Sequence, residues 1–508
     1  MAQNQRRADL ISCYFREGPG RSAEGTIDDR TWTDLDMDDV FASVDRTRSS
    51  VGQSALYAML RLPLPDSAAV DQRVRRVRAL MEDTRALARV SRIMRRLGSQ
   101  RDTELFRFLA QHREQINDRR ASLYLVLSIL PFVAIAGAIF LGAPGILALV
   151  LILVVNLVIH YRLKPVVTAE SSSYEFLHRL LNAAVRLGTQ TIPGCEEEHK
   201  ELHGLAAGLR SLRRRTVLLA TPSGFSGDIV SLLLEYIRQF FLQEVTAYYL
   251  AHNQIIRKLP EITRLYARVG EIDALVSVAA LRRETPGLCV PSIASGSLLV
   301  EAEDLVHPLL PEPVANTVHM SGKGLLVTGS NMSGKSTFLR TLGVNQVLAT
   351  TIGVACARRF TASPLITVTS ITNRDSLRDA ESHYLVEARR LLTLLAAGRG
   401  ARPALLIIDE ILSGTNSEER ITASVRILRH LAGLNCLVVA ATHDRPIALE
   451  LEGVLSNMHF THRVDGEGLE FDYRLHPGVV EAGNAFRLLR FLGYPREILE
   501  DPSEERTP

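Results

Sequence analysis

Gly329-Ser330-Asn331-Met332-Ser333-Gly334-Lys335-Ser336 has the spacing GxxxxGK[ST], and its residue types suit one task. Glycines let backbone N–H groups close round phosphate oxygens, a lysine at that position reaches the β- and γ-phosphates, and the adjoining hydroxyl can ligate Mg²⁺. The apolar run Leu325-Leu326-Val327 before the loop reads as a strand, and Thr337-Phe338-Leu339-Arg340 after it as the start of a helix. This strand–loop–helix setting is what phosphate binding needs. ATP and Mg²⁺ are therefore expected to bind through Gly329, Ser330, Asn331, Met332, Ser333, Gly334, Lys335, Ser336 and Thr337.

Two further apolar runs end in polar residues. Leu405-Leu406-Ile407-Ile408 is followed by Asp409 and Glu410. At the carboxyl end of a strand, Asp409 can share Mg²⁺ with Ser336 while Glu410 polarises the attacking water. Leu437-Val438-Val439-Ala440-Ala441-Thr442 is followed by His443, which is placed to sense the γ-phosphate or the water. Lys335, Glu410 and His443 are the candidate catalytic residues, with Ser336 and Asp409 as Mg²⁺ ligands. Leu412-Ser413-Gly414 superficially suggests the signature of transporter ATPases, but it follows the acidic strand instead of preceding it, and that order disfavours a transporter.

The elements that position these residues form an α+α/β chain: a mainly helical core or lever with a transmembrane helical hairpin, then a P-loop NTPase α/β domain with a largely parallel sheet. Its 508 residues allow two to four domains. The expected divisions are a polar, partly disordered arm (1–30), a first helical core or lever segment (31–118), the hairpin (119–164), a second helical segment (165–285) and the ATPase domain (286–508). In the hairpin, Ala121 to Leu141 carries no charge and is long enough to cross a bilayer. Gly142-Ala143-Pro144-Gly145 reads as a tight turn, and Ile146 to Ile159 is apolar apart from Asn156. Arg119 and Arg120 precede the pair, and Arg162 and Lys164 follow it. Basic residues on both outer flanks place both soluble regions in the cytoplasm, on a multi-pass protein of the cell membrane held by residues 121–160.

Global charge does not announce a partner, since 59 Lys+Arg against 56 Asp+Glu leave +3. Its distribution is uneven, with ten arginines between Arg73 and Arg101 and a second cluster at Arg210, Arg213, Arg214 and Arg215. Such runs can track phosphates or acidic lipid heads, or form a solvated helix face. Five scattered cysteines without a CxxC pair argue against a disulfide framework or zinc site, and the polar first thirty residues show no secretory signal.

Taken together these segments resemble the MutS family of DNA mismatch repair ATPases. The resemblance rests on Thr328 to Thr337, on Ile408-Asp409-Glu410 followed by Ser413-Gly414-Thr415, and on Ala441-Thr442-His443. Asp379 to Glu387, His307-Pro308, Tyr473-Arg474-Leu475 through Gly478, and Leu492-Gly493-Tyr494-Pro495 add to it. More loosely, Val40 to Leu56 and Ile272 to Ser277 are similar to the ends of the family's helical core. The resemblance implies a homodimer through the ATPase domain, in which Ser382 is donated in trans to the γ-phosphate, and it implies DNA as a partner linked to mismatch repair.

The chain also departs from the family. Thirty residues ahead of the core do not hold mismatch-reading and connector domains, so Phe15-Arg16-Glu17 reads as a coincidental match to the mismatch-reading motif. The hairpin stands where a DNA clamp is expected, and Leu412-Ser413 replaces the usual Gly-Arg. Two alternatives stay open: a membrane-tethered ATPase switch that regulates an unknown protein partner without DNA and, last, a transport ATPase.

Overall fold

A computed structural model describes residues 11–16, 25–99, 105, 118–220, 236–330, 333–371, 383–412, 416–465, 468–479 and 494–495. The chain divides into two compact units: a helical one of residues 1–21, 45–58 and 75–281, and an α/β one of residues 22–44, 59–74 and 282–508.

The α/β unit is built round a six-stranded sheet. In order, its strands are Gly468–Pro477, Ser456–Asp465, Leu325–Thr328, Cys436–Thr442, Ala404–Asp409 and Ile366–Ser370. The five from Ser456–Asp465 onward pair in parallel, and Gly468–Pro477 returns antiparallel on the edge. The three central strands are buried at every residue, which is why they read as unbroken apolar runs and do not alternate. Helices Lys335–Thr351, His383–Gly398 and Ser417–Ala432 pack on this sheet. Thr442 pairs with Thr328 and Ala441 with Asp409, so the three central strands finish together at one edge. A parallel sheet collects its binding residues along that edge.

Within the amino-terminal arm, residues 11–16 and 25–30 are described. In the α/β unit, helix Asp29–Asp34 is capped by Asp28, which accepts from the Thr31 N–H at 2.6 Å. Asp34 is fully buried and accepts from the Ile371 N–H at 2.9 Å and the Thr369 hydroxyl at 2.8 Å. Arg30 pairs with Asp34 and donates to the Ile371 carbonyl. Arg390, on helix His383–Gly398, grips Asp28 with two nitrogens at 2.6 and 3.1 Å. In the helical unit residues 11–16 are helical, and Phe15 is buried against Tyr57, with ring centroids 6.2 Å apart. A buried ring cannot stack on a DNA base, which fits the reading of Phe15-Arg16-Glu17 as coincidence.

Among its described residues the helical unit has two helices long and apolar enough to cross a bilayer, Asp118–Leu141 and Ala143–Leu187. The four-residue turn expected between them is only one residue long. Gly142 alone breaks the helix at φ 64°, a region open to glycine, and Pro144 sits in the next first turn, where a missing N–H costs nothing. The second helix then runs unbroken through Pro165 for 45 residues. A Cβ on Gly145 would lie 2.5 Å from the Gly137 carbonyl oxygen, so glycine permits the close approach of the two helices. Their outer faces are apolar and uncovered: Ile139 is 76%, Phe140 85% and Leu147 72% exposed. The apolar spans are therefore not the buried core of the unit, which the later turns of the second helix join through Phe176, Leu180 and Leu187.

Asn156, the one polar residue between Ile146 and Ile159, is fully buried. Pro131 lies inside the first helix and has no N–H, which leaves the Leu127 carbonyl without its i+4 donor. The Asn156 amide fills that role at 3.0 Å and also donates to the Phe240 carbonyl at 2.8 Å. Asn156→Leu strands both carbonyls and is expected to destabilise the hairpin by about 1–3 kcal/mol. The check is the denaturation midpoint in detergent, and an unchanged midpoint would remove this role from Asn156.

Candidate functional site

Gly329 follows the buried strand Leu325–Thr328 with φ +151°, and Gly334 ends the loop with φ +100° as the residue before helix Lys335–Thr351. A Cβ on Gly329 would lie 2.8 Å from the Ser333 hydroxyl and 3.0 Å from the Phe460 carbonyl oxygen. Both glycines are thus required by the backbone path. The Ser333 hydroxyl donates to the Ser330 carbonyl at 2.7 Å and braces the turn. Thr337, in the first turn of the helix, faces the cavity next to the loop. Asn331 and Met332 lie outside the described residues, as does Ser382.

Lys335 is buried, and its ammonium donates to the carbonyls of Gly329 at 2.7 Å and Ser330 at 2.9 Å. Burial lowers its pKa, while the charges of Asp409 and Glu410 oppose that shift. Beside it, the Ser336 hydroxyl donates to Asp409 Oδ2 at 2.5 Å. Burial raises the pKa of Asp409, the Ser336 hydrogen bond lowers it, and the Glu410 charge raises it again. A hydroxyl and a carboxylate side by side are hard oxygen donors of the kind Mg²⁺ takes together with phosphate oxygens. These residues fit ATP with Mg²⁺.

Glu410 sits one residue past the strand at φ 52°, an uncommon conformation for a side chain of this size. Its N–H donates to the Ala441 carbonyl at 3.0 Å, which ties the end of one strand to the next. Its Oε1 is 3.1 Å from His443 Nδ1. Sequence reasoning placed these two residues at one edge but missed what holds the histidine's loop. Arg420, from the first turn of helix Ser417–Ala432, grips Asp444 with nitrogens at 3.0 and 3.1 Å. An arginine following acidic Glu418 and Glu419 looks like any helix-surface charge, so nothing in the sequence marked it.

Beyond Gly334 and Thr337 opens a cavity of about 270 Å³ walled by His307, Leu310, Phe338, Phe460 and Tyr473. Burial pushes the pKa of His307 down, which favours a neutral ring at this apolar wall. Asn316 shapes the opposite side. Its amide donates to the Tyr473 carbonyl, and its oxygen accepts from the Leu475 N–H at 2.7 Å. This fixes Tyr473 at φ 53°. The loop, the acids and the apolar cavity are contiguous, which suits a ligand with a phosphate end and a flat apolar end.

Residues 325–507 match the family MutS domain V. Over that stretch, about a third of its length, the chain is similar to the MutS family. It is 30% identical over 258 residues to "Endonuclease MutS2" of Thermus thermophilus, covering 49% of this chain and 34% of that one. It is 27% identical over 248 residues to "DNA mismatch repair protein MutS" of Natronomonas pharaonis, covering 46% and 28%. It is also 27% identical over 262 residues to "DNA mismatch repair protein spellchecker 1" of Drosophila melanogaster, covering 48% and 28%. The likeness spans about a third of the length of these relatives. Loop, acids, His443 and the cavity residues Phe338, Phe460 and Tyr473 all lie within the stretch matched to MutS domain V.

Proposed function

We propose that this chain is a MutS-like ATPase anchored in the cell membrane by its helical hairpin, with both soluble regions on the cytoplasmic side, and that it acts on DNA. The observation that carries the ATPase reading is the meeting of Ser336 with Asp409 beside Glu410 and His443 at one sheet edge. In this reading the P-loop backbone and Lys335 hold the phosphates, while the cavity at His307 takes the base. Ser336 and Asp409 hold Mg²⁺, which when bound neutralises phosphate charge. Glu410 accepts the proton of the attacking water at a carboxylate oxygen, and His443 orients that carboxylate through Nδ1. Ser382 of a second copy completes the site from across a homodimer, so that nucleotide state governs how the two copies clamp together.

The membrane aspect of the reading rests on the uncovered apolar faces of the hairpin and on its basic flanks Arg119, Arg120, Arg162 and Lys164. The DNA aspect rests on the mismatch-repair and endonuclease names of the relatives. A second reading, an ATP-driven switch on a membrane protein partner without DNA, is favoured by the same hairpin.

One preparation in mild detergent tests these readings. Mg²⁺-dependent ATP hydrolysis is expected, together with binding to matched, mismatched and branched duplexes that ATP alters. Hydrolysis with no duplex binding at low salt would favour the switch. For the anchor, the chain is expected in the membrane fraction and resistant to high-salt and alkaline washing. Recovery in the wash would refute the anchor.

A further inference from the structure

Helix Thr84–Leu97 of the helical unit has two unlike faces. Ala86, Val90, Met94 and Leu97 are buried, and the helix packs on Ala143–Leu187. Arg85, Arg89, Arg92 and Arg96 follow i, i+4, i+7, i+11 spacing, so they fall in one row on a helix of 3.6 residues per turn. All four are exposed, and among the described residues none is in an ion pair. The helix itself contains no acidic residue. An ordinary solvated helix face mixes charges of both signs. This row, about 16 Å long at ~1.5 Å per residue, carries one sign only.

The position of the row decides which polyanion it can meet. The apolar hairpin leaves its basic flank at Arg162 and Lys164, and the same helix continues to Leu187. The carboxyl end of the arginine helix lies near Arg179, whose guanidinium would be 3.8 Å from a Cβ on Gly98. Its preceding helix lies further out, where Arg76 donates to the Gly194 carbonyl at 3.0 Å. The nearest end of the row is thus about 25 Å along the helix beyond Arg162, at ~1.5 Å per residue. Screening at physiological salt reduces surface charge interactions beyond about 8 Å. Lipid headgroups of the bilayer that holds the hairpin are out of range.

We propose that Arg85, Arg89, Arg92 and Arg96 form a docking row for the phosphodiester backbone of duplex nucleic acid. The inference rests on the DNA reading above and adds the place and the mode of contact. B-DNA presents about one phosphate per 1.7 Å of helix axis, so a 16 Å row can meet several phosphates along one groove edge. Guanidinium forks suit phosphate oxygens and read no base. The row therefore supplies affinity without sequence or mismatch preference.

The test compares wild type with Arg85→Gln/Arg89→Gln/Arg92→Gln/Arg96→Gln, each in nanodiscs of neutral lipid, binding fluorescent matched and mismatched duplexes across a salt series. The slope of log affinity against log salt is expected to become shallower by about 3.6, near 0.9 for each of the four lost phosphate contacts. The loss should be equal for both duplexes, with ATP hydrolysis in the absence of DNA unchanged. Should the fourfold variant fold poorly, Arg89→Gln alone is expected to shift the slope by about 0.9. Wild type that binds no duplex at low salt would sink the DNA reading itself. Wild type that binds with a slope equal to the variants' would sink the docking row and leave that reading standing. Added anionic vesicles provide the remaining arm: variants that lose vesicle capture while keeping full duplex binding would assign the row to a lipid surface and overturn the proposal.

Discussion

Glu410→Gln is expected to lower the turnover of ATP by about 10²- to 10⁴-fold, the range that a positioned general base contributes. Nucleotide binding should change little. The phosphate loop, Lys335 and the Ser336–Asp409 pair lie on other atoms, and glutamine keeps the volume and one oxygen for His443. The signature is therefore a collapsed kcat with retained affinity for a fluorescent ATP analogue, and under the proposed homodimer clamp the ATP-bound dimer should accumulate because hydrolysis is blocked. His443→Ala should cost less, on the order of tenfold, because in the proposed mechanism the histidine acts through the Glu410 carboxylate. Single-turnover hydrolysis by the two variants separates these roles. A Glu410→Gln enzyme with near wild-type kcat would move the base elsewhere on the sheet edge.

The site was legible because its components are local. The glycine loop, the strand that ends in Asp409 and the strand that leads to His443 each announce themselves within about ten residues, and a parallel sheet gathers strand ends without further instruction. Their register brought Thr328, Asp409 and Thr442 together as that rule requires. The hairpin was legible through length and polarity, although the turn shrank to Gly142 and the second helix outran its apolar stretch. Arg162 and Lys164 mark the expected end of the hairpin, but the helix continues through Pro165, braced along its later turns by buried Phe176, Leu180 and Leu187. What stayed hidden is long-range and ionic. Asp28 in the polar arm and Asp34 just beyond it resemble surface acids, yet they hold Arg390 and the end of strand Ile366–Ser370, more than 330 residues away. No periodicity or motif encodes such a pairing.

Asp273 in helix Leu259–Glu284 gives the strongest stability prediction, and its pH dependence has a definite sign. Its carboxylate is fully buried in the helical unit and accepts from the Ser49 hydroxyl at 2.6 Å, the Ser49 N–H at 2.9 Å and the Arg48 N–H at 3.2 Å. It thereby organises the turn that starts helix Ser50–Arg61, and Gly52 leaves it room, since a Cβ there would come within 2.1 Å of Oδ2. Asp273→Ala strips acceptors from buried donors and is expected to cost about 3–5 kcal/mol, with Gly52→Ala comparably damaging. Burial raises the Asp273 pKa to about 6 against those hydrogen bonds. A carboxyl raised in the folded state favours folding fully below its unfolded pKa of about 3.9, and that contribution is lost as pH climbs through 6. Between pH 4 and 7.5 the loss amounts to about 2 kcal/mol. Other carboxyls titrate in the same window, so the readout is the difference between wild type and Asp273→Asn, which cannot ionise. Urea unfolding in mild detergent, followed by far-ultraviolet circular dichroism, should show wild type losing about 2 kcal/mol relative to the asparagine variant as pH rises. A flat difference would mean that the carboxyl is solvated in the folded unit. A difference of opposite sign would mean that the hydrogen bonds from Ser49 and Arg48 outweigh burial and hold Asp273 ionised.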